Sequence, residues 1–321
     1  MKRKLSSIFL LLFVFILPFS VQAADMLVPV GTLVGLEIRS GTVTVAAFDD
    51  LYGANAKAAG LRIGDEVCSV NGKPITEADQ VSKALENSTG TATLGVRRGS
   101  KDMTLEIQPQ AQNGRPLLGV YLRQGITGIG TVTWYDPESN TFGALGHGVS
   151  TGKDCLLPLK SGSIYPAQPV AAQMGKSGTP GLLKGKATSE IPLGTITCNT
   201  PQGILGKCAQ GFPGRALPVG SWESLRTGSA TILASVREGP PKEYSVEILK
   251  LYPKDRQTYR NMLLKVTDPE LLKCTGGIVQ GMSGSPILQD GKLVGAVTHV
   301  LVNDPTAGYG IFIENMLEAA G

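Results

Sequence analysis

Only two histidines, His147 and His299, occur in the 321 residues, and aromatic side chains make up 6% of them. That scarcity confines any imidazole base to two positions. The five cysteines (Cys68, Cys155, Cys198, Cys208 and Cys274) show no metal-ligand spacing, so neither a metal site nor a cofactor is expected. An odd count leaves at least one thiol without an intramolecular partner. Cys198 and Cys208 flank a Gly/Pro-rich stretch that a disulfide would close, with buried free thiols as the alternative. Charge is sparse too: Asp, Glu, Lys and Arg make up 17% of the chain, and three of the cations behind its net +4 stand in the first four residues. The remainder is nearly neutral and has no nucleic-acid-binding footprint.

Lys2, Arg3 and Lys4 precede an apolar run from Ile8 to Leu17, and Val21-Gln22-Ala23 gives a small-residue cleavage pattern. Residues 1–23 therefore read as an export signal, short of the about 20 residues of a comfortable span, with an uncleaved signal anchor as the alternative. No later segment is apolar enough to span a bilayer. The 41 glycines and 20 prolines suit a mostly β protein rich in turns, and the length favours about two domains.

Residues 24–110 read as short strands ("VGLEI", "TVTVAAF", "EVCSV", "TATLGVRR", "MTLEIQP") around two helices, "ANAKAAG" and "TEADQVSKALENS". The stretch "AAGLRIGDEVCSVNGKPITEADQV" resembles the core of a PDZ domain: a helix-ending glycine, a Gly-Asp turn, a strand and an Asn-Gly turn before the second helix. Upstream, "TLVGLEI" resembles the PDZ carboxylate-binding loop. That resemblance implies a peptide site at Val34, Gly35 and Leu36, with an extended ligand adding to the neighbouring strand edge. A PDZ domain that packs on its neighbour and binds nothing is the alternative.

Residues 111–116, "AQNGRP", read as a linker, and 117–321 as a second β-rich domain whose many short strands suggest a closed barrel or a pair of barrels. His147 follows an apolar strand in "TFGALGHGVS", between two glycines that leave room for approach to the ring. In "VQGMSGSPIL", Ser283 stands on a tight turn in which the Gly281 and Ser283 N–H groups are natural oxyanion donors. This stretch resembles the nucleophile segment of chymotrypsin-like serine peptidases, which implies a double β-barrel after the PDZ domain. Met282 replaces the aspartate that pairs with a freed N-terminus in the digestive enzymes, and Ser285 is the rival nucleophile. A carboxylate to orient the imidazole has four candidates: Asp136, Asp154, Asp268 and Asp304. Spacing gives Asp268 only a modest lead.

The export signal, a PDZ domain, "FGALGHG", "KVTDPELL" and "GMSGSPI" together resemble the SpoIVB peptidase family of endospore-forming bacteria. That resemblance implies a triad of His147, Asp268 and Ser283. It also implies a sporulation role between the forespore and mother-cell membranes. There the enzyme would cut itself and a membrane-bound regulator, so that an intramembrane protease releases a mother-cell sigma factor. Two other readings are an HtrA-type quality-control protease, in which the PDZ domain normally follows the peptidase, and a non-catalytic PDZ adaptor.

Overall fold

A computed structural model describes residues 26–86, 88, 90–150 and 156–321; the export-signal segment 1–23, Asp154 and Cys155 lie outside the described residues. Two closed six-stranded barrels make up the bulk of the fold. The first joins β1 (Leu33–Phe48), β2 (Val120–Asp136), β3 (Thr141–Ala144), β4 (Ser161–Gln173), β5 (Gly194–Thr200) and β6 (Gly203–Lys207). Around the ring the order is β1-β2-β3-β6-β5-β4, and β4 closes back on β1.

The second barrel joins β7 (Gly228–Ala234), β8 (Lys242–Leu251), β9 (Met262–Val266), β10 (Pro286–Gln289), β11 (Lys292–Leu301) and β12 (Asp304–Phe312). Its order is β7-β8-β9-β12-β11-β10. Period-two alternation drives these strands: along β8, Tyr244, Val246 and Ile248 are buried while Ser245 and Glu247 face water. Each barrel fills its interior with its own apolar cluster, around Phe142, Ile164 and Ile204 in the first and Ile232, Leu264 and Ile287 in the second. Closure leaves no long free edge within either ring.

The PDZ-like unit is inserted between β1 and β2 rather than preceding the barrels. The first part of β1, Leu33–Arg39, pairs with Gly125–Thr131 inside the first barrel. After a bulge, Thr44–Phe48 pairs with Val120–Arg123 in the inserted unit. Met26–Pro29 also belongs to the first barrel, pairing with Tyr135 and Trp134. The expected division at 24–110 is corrected accordingly: the barrel includes the chain up to Arg39, and the inserted core of Val43, Val67, Leu85, Leu94 and Ile107 extends forward to Leu118. Residues 111–116 form most of a small hairpin, Gln110–Gln112 with Arg115–Leu117, and are not an open linker.

The insert is fastened to the barrel by side chains. Gln124 Nε2 donates to the Thr76 carbonyl at 2.6 Å and its Oε1 accepts from Ala78 N at 3.1 Å, while Lys160 pairs with Glu77 at 2.7 Å. Its two helices are α1 (Ala54–Ala58) and α2 (Asp79–Leu85); α3 (Pro269–Thr275) follows β9 and α4 (Ile313–Glu318) ends the chain. Cys68, Cys198, Cys208 and Cys274 are free thiols, so the disulfide considered for Cys198 and Cys208 is not formed.

Candidate active site

The nucleophile turn is held from the opposite barrel. Thr131 on β2 donates its N–H to the Ser283 carbonyl at 3.0 Å and its Oγ1–H to the Gly281 carbonyl at 2.9 Å. Gly281 has φ +101, a conformation that a side chain would strain. With both carbonyls engaged on Thr131, the N–H groups of Gly281 and Ser283 have no acceptor among the described residues. These are the two donors expected from the sequence.

Ser283 Oγ donates to the Thr298 carbonyl at 2.7 Å and lines a cavity of about 510 Å³. Ser285 is fully buried, and its Oγ has no hydrogen-bond partner among the described residues. Its position removes it from contact with any substrate. Met282 is 1% exposed and packs in the core of the second barrel, where the aspartate of the digestive enzymes is replaced by a hydrophobic anchor.

His147 reaches the same cavity from the turn after β3. Its Nδ1 lies 3.0 Å from the Gly148 carbonyl. A carbonyl only accepts, so Nδ1 carries the proton and Nε2 keeps the lone pair that a general base needs. Burial holds the imidazole below its usual pKa. Leu145, at φ +69, is a bulky residue in left-handed backbone, a conformation that costs about 1–2 kcal/mol. Its N–H donates to the Thr131 carbonyl at 3.2 Å, and the turn is pinned there. The preceding-side glycine has a different purpose from the access inferred above: a Cβ on Gly146 would come within 2.9 Å of Thr298 Cγ2 and 3.0 Å of Ile311 Cγ2. It lets the histidine turn press against the second barrel.

His299 on β11 faces His147, with ring centroids 5.1 Å apart and planes tilted by 39°. Its Nδ1 is buried and has no partner among the described residues. Burial first, then the charges of His147 and Arg260, push its pKa down to about 4. In the sequence His299 stands in "AVTHVLV", without the flanking glycines that single out His147. Its proximity to the base arises from barrel packing.

Asp268 is not part of this arrangement. It caps α3: Oδ1 accepts from Leu271 N at 3.0 Å and Oδ2 from Ser245 N at 3.3 Å, and the residue does not line the cavity. Asp-Pro followed by a helix is an N-terminal cap signature, and here the local role claims the carboxylate. Asp136 and Asp304 likewise serve their own turns, accepting from Glu138 N at 2.9 Å and Thr306 N at 3.1 Å.

The peptide loop expected at Val34, Gly35 and Leu36 is also corrected. These residues lie in β1 with both edges occupied, Val34–Leu36 pairing with Gly128–Gly130 on one side and Ile164–Pro166 on the other. No ligand strand can add there. A groove of about 130 Å³ lies instead between Val81, Ser82 and Leu85 of α2 and the segment Leu117–Leu122. The signal in the sequence was "PLLGVYL", which has the same apolar-Gly-apolar pattern as "TLVGLEI" but precedes the other strand of the ribbon.

The family described as SpoIVB peptidase S55 matches residues 114–317, and a PDZ domain family matches 53–98. Serine protease HTRA1 of Xenopus laevis is 34% identical over 74 residues, 23% of this chain, and its Xenopus tropicalis counterpart matches to the same extent. The chain spans 15% of the length of these curated relatives. Among solved structures, the active form of the Rv3671c protease from M. tuberculosis is 15% identical with a TM-score of 0.38, covering 61% of this chain and 75% of that one. The HtrA-type protease AlgW with a decapeptide is 13% identical with a TM-score of 0.36, covering 61% and 53%.

Proposed function

The chain belongs to the SpoIVB peptidase S55 family, and on that basis we propose that it is an exported serine endopeptidase with Ser283 as nucleophile and His147 as general base. What carries this reading is one observation. Residues from two separate barrels meet in a single cavity, together with two backbone N–H groups that have no acceptor among the described residues.

The chemistry follows from the geometry. Ser283 Oγ leaves the Thr298 carbonyl, gives its proton to His147 Nε2 and attacks the scissile carbonyl carbon. The Gly281 and Ser283 N–H groups hold the oxyanion, and the imidazolium then protonates the departing amine. Water attacks the acyl-enzyme while His147 takes its proton; the ester bond to Ser283 then breaks as the imidazolium returns the proton to Oγ, releasing the new carboxyl end. The Gly148 carbonyl keeps the productive tautomer throughout.

Its substrates in this reading are its own precursor and a membrane-bound regulator of an intramembrane protease, cut during sporulation in the space between forespore and mother cell. The inserted PDZ domain would receive an extended peptide along the edge Val120–Leu122 against α2, a strand-addition mode. A fluorophosphonate probe tests the enzyme assignment. Labelling of the full chain that disappears in Ser283→Ala is the expected result; no labelling, or labelling that survives the substitution, overturns it.

A further inference from the structure

A substrate carbonyl attacked by Ser283 must lie within bonding reach of Oγ and of the Gly281 and Ser283 N–H groups, so the side chain next to it has to enter the cavity those atoms line. The character of that cavity therefore decides what is cut. Its walls come from the segment leading into the nucleophile, Ile278 and Val279, from the end of β11 and just beyond, Val300 and Val302, and from Ile129 of the first barrel. Among the described residues, no Asp, Glu, Lys or Arg lines it.

The polar atoms present do not offset a charge. Ser283 Oγ is bonded to the Thr298 carbonyl, Thr298 Oγ1 to the Tyr309 carbonyl at 3.2 Å, and His147 Nδ1 to the Gly148 carbonyl. His299 is held neutral by burial, and the two other polar side chains that line the cavity, Ser150 and Gln280, are exposed and carry no charge. A lysine or glutamate side chain entering here would lose its water without gaining a counterion, whereas an apolar one gains by burial.

We propose that the enzyme cleaves after uncharged, apolar residues, and that Val300 and Val302 help set this preference. The proposal rests on the reading of Ser283 as nucleophile. It specifies what the site accepts, which the family membership alone does not.

The test uses the full chain and a panel of peptidyl phosphonate diphenyl esters that differ only in the side chain next to phosphorus: leucine-, phenylalanine-, lysine- and glutamate-like. Such probes phosphonylate a reactive serine and need no turnover. The leucine or phenylalanine probe is expected to react at least about 100-fold faster than either charged one. Rates within about 10-fold across the panel, or no reaction with any member, overturn the proposal. Fluorophosphonate labelling run in parallel separates the two failures: if it persists, only the specificity is wrong, and if it is absent, the nucleophile assignment fails as well. Val300→Glu and Val302→Glu, which place a carboxylate at two depths of the wall, are expected to shift the lysine-to-leucine ratio at least about 10-fold toward lysine in one of the two. An unchanged ratio in both means these valines do not form the selecting wall.

Discussion

Thr131 and Gly281 are 150 positions apart in the chain, yet the Thr131 hydroxyl holds the Gly281 carbonyl at 2.9 Å, so a strand of the first barrel fixes the turn of the second that we propose holds the oxyanion. Thr131→Val removes that donor while keeping the side chain's shape. The expected cost is about 1 kcal/mol of stability, together with roughly a tenfold loss in kcat and little change in KM, because the N–H donors act mainly in the transition state. Steady-state kinetics beside a urea titration would separate the two effects.

Ser285→Ala should leave fluorophosphonate labelling intact. The hydroxyl is fully buried and unbonded among the described residues, so its removal is expected to leave stability unchanged or slightly raised. Loss of labelling in a folded Ser285→Ala protein would show that the wrong serine carries the chemistry.

Asp268 gives a cleaner discrimination. As a helix cap, it is replaced well by asparagine and poorly by alanine, with about 1 kcal/mol lost in Asp268→Ala. Activity is expected to follow stability, with Asp268→Asn close to the unmodified enzyme. A folded Asp268→Asn protein that had lost several orders of magnitude in kcat/KM would mean that the carboxylate acts on His147. Asp154→Asn, measured alongside, tests the other candidate carried forward from the sequence.

The pH profile has a defined sign. Burial lowers the pKa of His147, so the base remains unprotonated below 6.5 and the acid limb of kcat/KM is expected below that value. For stability, His299 titrates near 4 when folded and near 6.5 when unfolded. Between those values the unfolded state binds the extra proton, so stability falls as pH drops from 6.5 toward 4. Denaturant midpoints across that range, compared with those of His299→Asn, should show the slope diminished in the variant.

The residues themselves determined the local features: period-two strands, the glycine-serine turn, the Asp-Pro helix start and the PDZ-like run from Ala58 to Val81. Each follows from backbone preferences acting within a few positions. Pairing partners are long-range, and here local pattern misled. "TLVGLEI" has the composition of a glycine-containing binding loop, but hydrogen bonds to Gly128–Gly130 and Ile164–Pro166 make it a central barrel strand. The same long-range pairing turned an apparent tandem of domains into an insertion.

His147 and Ser283 stood out as candidates in the sequence because each is a residue suited to catalysis set among glycines on a turn. Tertiary structure alone decided what surrounds them. Closing the barrels brought His299 to 5.1 Å from His147, left Asp268 on its own helix, and lined the cavity with side chains drawn from both barrels. Packing and strand pairing join positions more than a hundred residues apart, and no local spacing records which ones will meet.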